Sequence, residues 1–293
     1  MTGDPEFEAL RPQLLRLAYS QLGSLAEAED VVQEAWLRLQ RTDRAAIANL
    51  RAWLTTVVGR LALDELRSAR VRRERYVGTW LPEPVVEPAS PEPDPADRVT
   101  LDESVSYAML ALLEQLSPAE RTAFVLHDVF DVPFDEVAGV VGRTPQAVRQ
   151  LASRARRHIA QRRPRFEATR AEHDHAVRAF ADAIADGDLA DLVKVLDPDV
   201  IWTTDGGGRA TAARKPLQGA DRVARAWLAL RRRPAIAPPA TPVAVNGRLG
   251  LTIAGTDGHA MVVSFVVEHA RITRIDAVRN PDKVHHALAR ARS

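Results

Sequence analysis

Ser117-Pro118-Ala119-Glu120, the start of the segment 117–163, decides how this chain is read. Serine followed three residues later by glutamate is a capping box, and proline at the first helical position costs nothing, because that N–H has no intrahelical partner. A helix therefore starts here. Val137, Ala138 and Val141 then fall on one apolar stripe, Gly142 offers a left-handed stop, and Thr144-Pro145 caps and opens a second helix after a three-residue turn. This is helix-turn-helix spacing. On that periodicity Ala147, Val148 and Leu151 face the first helix, leaving Gln146, Arg149, Gln150, Ser153 and Arg154 on the outer face, where a recognition helix meets base edges. Between 143 and 165 stand eight arginines and no acid. A solvated helical hairpin can carry such a charge run; caps, turn and an all-basic second helix together point to DNA.

The chain has 293 residues, enough for two or three domains with cores of their own. Its formal net charge of +1 conceals strong segregation, so the local blocks carry the information. Cysteine is absent, which excludes disulfides and cysteine-based zinc sites and suits a reducing cytoplasm. Residues 1–13 are acidic and lack an apolar core, unlike a signal peptide. Apolar runs such as 261–267 are strand-sized, well short of the ~20 residues of a membrane span, so a soluble cytoplasmic protein is expected. Only Lys194, Lys215 and Lys283 are lysines among 40 basic residues, a bias that GC-rich codons produce.

From 10 to 75 the pattern is helical, with Leu10, Leu14 and Leu17 on one stripe. Ser24-Leu25-Ala26-Glu27 is a second capping box. It opens a helix whose Ala28, Val31, Val32, Ala35, Trp36 and Leu39 form the core face, with Asp30, Gln33 and Glu34 nearer solvent. A polar break at 41–49 precedes a third helix through Trp53, Leu54, Val57, Val58, Leu61 and Leu66. Its segment 51–75 holds seven arginines against Asp64, Glu65 and Glu74, a net of +4 that suits a nucleic-acid backbone.

The runs Ala28-Glu29-Asp30-Val31-Val32-Gln33-Glu34-Ala35-Trp36-Leu37, Asn49-Leu50-Arg51-Ala52-Trp53-Leu54 and Ala62-Leu63-Asp64-Glu65-Leu66-Arg67 resemble region two of the extracytoplasmic-function (ECF) sigma factors, of the sigma-70 family. The helix-turn-helix resembles their region four, in the right order and spacing. The resemblance implies a bacterial RNA polymerase core as partner, its β′ clamp docked on Asp30, Gln33 and Glu34 and its β flap on region four. It implies promoter DNA as the second partner. Residues 41–49 would capture an unstacked base of the −10 element, with Asn49, Trp53, Arg60, Arg67 and Arg70 on the adjoining DNA. The −35 element would fall to Thr144, Gln146, Arg149, Gln150, Ser153 and Arg154, with Arg143, Arg156 and Arg157 on phosphates. Physics agrees with the division: pockets and stacking read a single-stranded base, while arginines position the backbone. Leu151 departs from the pattern, since many relatives carry a basic residue there.

The linker, 76–105, has six prolines between Pro82 and Pro95, which excludes a helix or central strand. From 83 to 103 it carries seven acids and one arginine, the composition of a self-repelling, extended spacer. In the family this linker lies inside polymerase, where an acidic strand can follow a channel meant for nucleic acid. Trp80-Leu81-Pro82-Glu83-Pro84, an aromatic and a leucine beside rigid prolines, makes a low-entropy docking peptide expected to bind another part of the chain.

After 165 the pattern is mixed. Val177, Phe180, Ala181 and Ile184 form a helical stripe ended by Gly187, and Asp188 caps a short helix through Leu196. Strands are expected at 200–203, 243–245, 249–253, 260–267 and 272–278, with a helix near 221–231. Asn246-Gly247 and Asp257-Gly258 are hairpin signals, so the sheet should be mainly antiparallel. Helices on one side of a curved sheet make an α+β cone, and the order resembles the SnoaL-like fold of the nuclear-transport-factor-two superfamily. Asp205-Gly206-Gly207-Gly208-Arg209 follows the first strand; a catalytic Asp205 is one reading, and a docking or ligand-sensing loop the stronger one. His173, His175, His285 and His286 lack a metal motif and are expected on solvated helix faces, so no metal or cofactor is expected.

Trp80-Leu81-Pro82-Glu83-Pro84, Asp205-Gly206-Gly207-Gly208 and Asn280-Pro281-Asp282-Lys283 together look like the ECF group with a fused SnoaL-like domain, with Arg209 where that group commonly has lysine. The resemblance implies four segments: region two at 1–75, the acidic linker at 76–105, region four at 106–165 and the SnoaL-like domain at 170–293. It also implies regulation in cis, in place of a separate anti-sigma protein, with those three motifs and Arg209 as contacts. A non-enzymatic sigma factor is thus expected. The alternatives are a ligand-responsive helix-turn-helix regulator with a small molecule in the cone, and a SnoaL-type enzyme with a DNA-binding appendage.

Overall fold

The computed structural model describes residues 4–74, 76–89, 105–161, 168–231, 236–255 and 258–290. The acidic linker at 90–104, residues 162–167, Asp257 and the Arg70 side chain lie outside the described set. Among the described residues no helix is long and apolar enough to cross a membrane. The chain divides into two compact units. Unit one joins Met1–Glu74, Ala96–Val105 and Met109–Arg163; unit two joins Arg75–Pro95, Ser106–Ala108 and Pro164–Ser293.

Unit one is helical. Asp4 caps α1 (Pro5–Leu22) by accepting from the Glu6 and Phe7 amides, and Gly23, at φ 67°, closes it. Ser24 caps α2 (Leu25–Arg41) by accepting from the Glu27 amide. A one-turn 3-10 helix, Arg44–Ala46, fills the polar break before α3 (Leu50–Glu74). Phe7, Leu14, Leu17, Val32, Ala35, Leu54, Val58 and Leu63 form the buried seam of the three. Each such aliphatic or aromatic side chain stabilises the unit by about 1.5–3 kcal/mol relative to exposure. The short α4 (Tyr107–Leu113) leads to α5 (Pro118–Phe124), whose capping box is complete: Ser117 accepts from the Glu120 amide, and Glu120 accepts from the Ser117 amide. The expected single helix continues as a π turn, Val125–Val129, before α6 (Phe134–Val141). Gly142, at φ 70°, stops α6, and Thr144 caps α7 (Pro145–Ala160).

Unit two is α+β. Helices α8 (Arg170–Asp186), α9 (Leu189–Val195) and α10 (Ala220–Arg231) accompany a seven-stranded sheet in the order β1-β4-β5-β6-β7-β2-β3. Its strands are β1 (Val86–Pro88), β2 (Leu196–Asp205), β3 (Leu217–Gln218), β4 (Ile236–Val245), β5 (Arg248–Gly255), β6 (Met261–Glu268) and β7 (Arg271–Val278). β4 to β7 form an antiparallel meander, and Asn246 and Gly247, at φ 45° and 74°, make its first hairpin. β2 pairs parallel to β7, so the sheet is mixed. The parallel pair is possible because α10 and the meander separate the two strands in sequence.

Both faces of the sheet are covered. Met261, Val263, Phe265 and Val267 of β6 join the larger core with Phe180, Trp202 and Trp227, while Val262 points the other way. There it meets Leu81, Val86, Tyr107, Val245, Val278 and, from α11 (Pro281–Arg290), Val284 and Ala287. The covering of the second face therefore includes the linker itself. Its first part is no free spacer: residues 81–86 are buried, and β1 pairs with β4 as an edge strand, where Pro88 is tolerated.

Candidate functional site

The helix-turn-helix presents a continuous polar face. Val148, Leu151, Ala152, Ala155 and Ile159 of α7 are buried, which explains an apolar residue at 151 as packing. Arg143, Gln146, Arg149, Gln150, Ser153, Arg154, Arg156 and Arg157 are exposed. Thr144 is committed to the backbone, accepting from the Ala147 amide at 3.2 Å. Arg149 lies over the Phe134 ring, 5.2 Å from its centroid. Arg154 donates to Glu120 at 3.1 Å and Arg156 to Asp128 at 2.6 Å. Burial would raise the Glu120 carboxyl pKa, but hydrogen bonds from Ser117 and the Arg154 charge outweigh it and hold the group below its ordinary value.

On α2, Asp30 and Gln33 are exposed on the outer face beside half-buried Glu34, which accepts from Arg38 at 3.0 Å. Asn49 caps α3, accepting from the Ala52 amide at 3.1 Å, and Trp53 is half-buried. Arg60 donates to the Gly139 carbonyl, and Arg67 to Asp64 at 3.1 Å. The structure brings Arg67, Arg143, Gln150 and Arg154 together around one cleft of about 610 Å³.

In unit two, three distant stretches converge on the Asp205 carboxylate, which is fully buried. One oxygen accepts from the Tyr76 hydroxyl at 2.6 Å and the Gly207 amide at 3.0 Å. The other accepts from the Leu81 amide at 3.0 Å and Lys283 Nζ at 2.7 Å. Lys283 also donates to the Leu81 carbonyl and sits 3.9 Å from the centroid of the Trp80 ring. Its charge is thus balanced by Asp205 and covered by an aromatic face. Asn280 donates to the Tyr76 hydroxyl at 2.8 Å, and its own side-chain oxygen accepts from the Asp282 amide. Arg209 and Asp282 pair at 2.7 Å on the surface. The glycines make room: at Gly207, with φ 63°, a Cβ would lie 2.5 Å from the Asn280 side chain. Pro82 is buried, and its carbonyl accepts from the Tyr107 hydroxyl at 2.9 Å. Burial, then the hydrogen bond and charge of Asp205, push the Tyr76 hydroxyl pKa far above its ordinary value.

Tyr76 was not singled out by sequence, nor was the Glu83 carboxylate, which pairs with His286 Nδ1. Two histidines depart from a solvated face. His286 is half-buried on Glu83, and His173 is buried, with Nε2 2.9 Å from the Leu249 carbonyl. Burial lowers the His173 pKa, so it is a neutral core residue. His175 and His285 are exposed. Among the described residues no group of three histidine, aspartate or glutamate side chains could hold a metal ion. A signal for the missed contacts is present in the sequence: the uninterrupted apolar run of β6 demands cover on two faces, and only the linker and α11 were unassigned.

Comparison with known proteins agrees with this arrangement. The Sigma-70 region 2 family matches residues 7–72, and the Sigma-70, region 4 family matches 106–159. The ECF RNA polymerase sigma factor SigJ of Mycobacterium tuberculosis is 44% identical over 288 residues, covering 95% of this chain and 92% of its own length. The chain belongs to the ECF RNA polymerase sigma factors. SigI of the same species is 38% identical over 283 residues, 94% of this sigma factor and 92% of SigI. The crystal structure of SigJ superposes with a TM-score of 0.77 at 41% identity, covering 96% of this sigma factor and 97% of that chain. The likeness to SigJ therefore includes unit two as well as the two sigma regions.

Proposed function

We propose that this sigma factor carries the RNA polymerase core to its promoters and that its own C-terminal domain governs the process. Asp30, Gln33 and Glu34 dock on the polymerase clamp, and region four on the β flap. Asn49 and Trp53 serve the −10 element with Arg60, Arg67 and Arg70 on the adjoining backbone. Gln146, Arg149, Gln150, Ser153 and Arg154 read the −35 element beside the cap Thr144, and Arg143, Arg156 and Arg157 hold phosphates. The observation that carries this reading is the presence of both sigma regions, in order, in a chain that aligns with SigJ over nearly its whole length.

Control in cis is supported by the Asp205 cluster, which ties the linker motif Trp80, Leu81 and Pro82 to the loop from Gly206 to Arg209 and to Asn280, Pro281, Asp282 and Lys283. A domain tethered to the segment it controls acts at high effective concentration, so modest contacts suffice. Both Asp205 oxygens are occupied by donors, which supports a docking role over acid–base catalysis and hence a non-enzymatic domain. The site of action is the cytoplasm, with the polymerase. Transcription in vitro with purified core tests the reading on the full chain, on truncations after Arg163 and before Asn280, and on Asp30→Ala with Glu34→Ala. Promoter-specific transcripts should require the chain, fall in the double variant and change in level with each truncation. Absence of transcripts from every form refutes it.

A further inference from the structure

In unit one the side chains assigned to the two promoter elements face each other. Arg67 of α3 lines the same cleft as Arg143, Gln150 and Arg154. Arg60, also on α3, spends its guanidinium on the Gly139 carbonyl of α6, at 3.3 and 3.0 Å. Asn49, at the end of the segment assigned to the unstacked base, shares a cavity of about 190 Å³ with Asp131, Val132 and Pro133 from the loop before α6. On a duplex the −10 and −35 elements are roughly 25 base pairs apart, about 85 Å at 3.4 Å per step. A single cleft cannot serve both at that distance.

We propose that this is a closed, promoter-incompetent form of the sigma factor, in which region four is seated on region two and α6 must part from α3 before DNA is engaged. The proposal rests on the functional reading above and adds to it a restraint within the helical unit itself.

Two features make the seat. Gly59 leaves α3 without a side chain where α6 and the π turn approach: a Cβ there would lie 3.2 Å from Val140 Cγ1 and 3.4 Å from Leu126 Cδ1. A glycine inside a helix is locally unfavourable, so close packing is its physical return. The second feature is a buried ionic clasp. Glu114 accepts from Arg73 of α3 and from Arg121 of α5, the latter only 2% exposed. Arg73 also donates to the Leu22 carbonyl at 2.9 Å and Arg121 to the Ser20 carbonyl at 3.4 Å. Those carbonyls belong to the last turn of α1, which lacks intrahelical donors and carries the negative end of the helix dipole.

The same segments contain the means of release. Ser20 Oγ, both amide atoms of Gln21, Thr122 Oγ1 and Arg121 Nε are buried without a hydrogen-bond partner. Each forgoes hydration in the closed form and would regain it once water enters. Apolar seating and the clasp favour closure while these groups favour opening, which is the balance a switch requires.

The absence of native cysteine allows a direct test. Gly59→Cys with Val140→Cys in the full chain places the sole two thiols across the seat, within the reach of a disulfide. The bond should form in the free protein under mild oxidation, seen by mobility on a non-reducing gel. Promoter-directed transcription with purified core should then fall at least ~10-fold and return on reduction, with wild type indifferent to both treatments. A bond that fails to form in an active reduced variant, or an oxidised form as active as the reduced one, overturns the proposal. If the reduced pair is inactive, Gly59→Leu decides: it should wedge the seat apart, enlarge the radius of gyration and raise output at limiting sigma factor. An unchanged radius and output overturns the proposal. Failure of wild type itself to give transcripts refutes the sigma-factor reading instead.

Discussion

Replacing Asp205 by alanine should release the linker from the C-terminal domain, and the size of the effect follows from what the carboxylate holds. It accepts four hydrogen bonds, from Tyr76, Leu81, Gly207 and Lys283, and is fully buried. The Lys283 side chain is 10% exposed, so alanine would leave an ammonium almost out of water with only the Leu81 carbonyl and two aromatic faces beside it. Removing one partner of a buried ion pair costs about 3–5 kcal/mol. At 1.4 kcal/mol per factor of ten, even ~3 kcal/mol corresponds to an opening roughly 150-fold more frequent. Hydrogen exchange at the Leu81 amide reads this directly, because that N–H donates to Asp205. Asp205→Asn should also loosen the cluster, since its amide nitrogen would oppose a donor on one side or the other. Asp205→Ala with Lys283→Met should recover part of the protection by removing the orphaned charge. Exchange at Leu81 changing less than about threefold in Asp205→Ala would show that the linker is held by apolar burial, and the electrostatic reasoning would be wrong.

Two other outcomes follow from the same geometry. Arg149→Ala should cost about 1–3 kcal/mol at one −35 base pair, whereas Arg156→Ala should weaken all sequences alike and reduce the salt slope by about one; anisotropy titrations on matched and mismatched duplexes at several salt concentrations distinguish them. For His173, the folded pKa lies below the ordinary 6.5 because burial disfavours the charged ring. The unfolded chain therefore takes up the proton first as pH falls. Stability of unit two should decline as pH drops below 6.5, and a urea titration at pH 7.5 and 5.5 should show a smaller decline in His173→Gln.

Much of the local structure is legible in the chain because it depends on neighbours in sequence. Ser117, Thr144 and Asp188 cap helices where a short oxygen-bearing side chain precedes an apolar stripe, and each does so in the structure. Gly142 and Gly187 stop helices in the left-handed region, and Asn246-Gly247 turns a hairpin. The buried face of α7 also follows from its 3.6-residue period. The π turn after Phe124 carried no such local mark, so the helix was expected to continue.

What sequence could not reveal depends on residues far apart in the chain. The composition of 76–88 describes a stiff acidic segment, but Glu83 meets His286 and Leu81 meets Asp205 across separations of 203 and 124 residues. Likewise β2 lies parallel to β7 because of how the intervening meander folds back, a fact that no periodicity records. The chain by itself determined the helices, their caps, the helix-turn-helix and the family, since backbone hydrogen bonding and side-chain periodicity are satisfied within a few residues. Only tertiary structure decided that an isolated-looking Asp205 would become the centre of a neutralised knot, and that Gly59 would seat one helical module on another. A buried charge or a missing Cβ acquires its meaning from whatever the fold places against it.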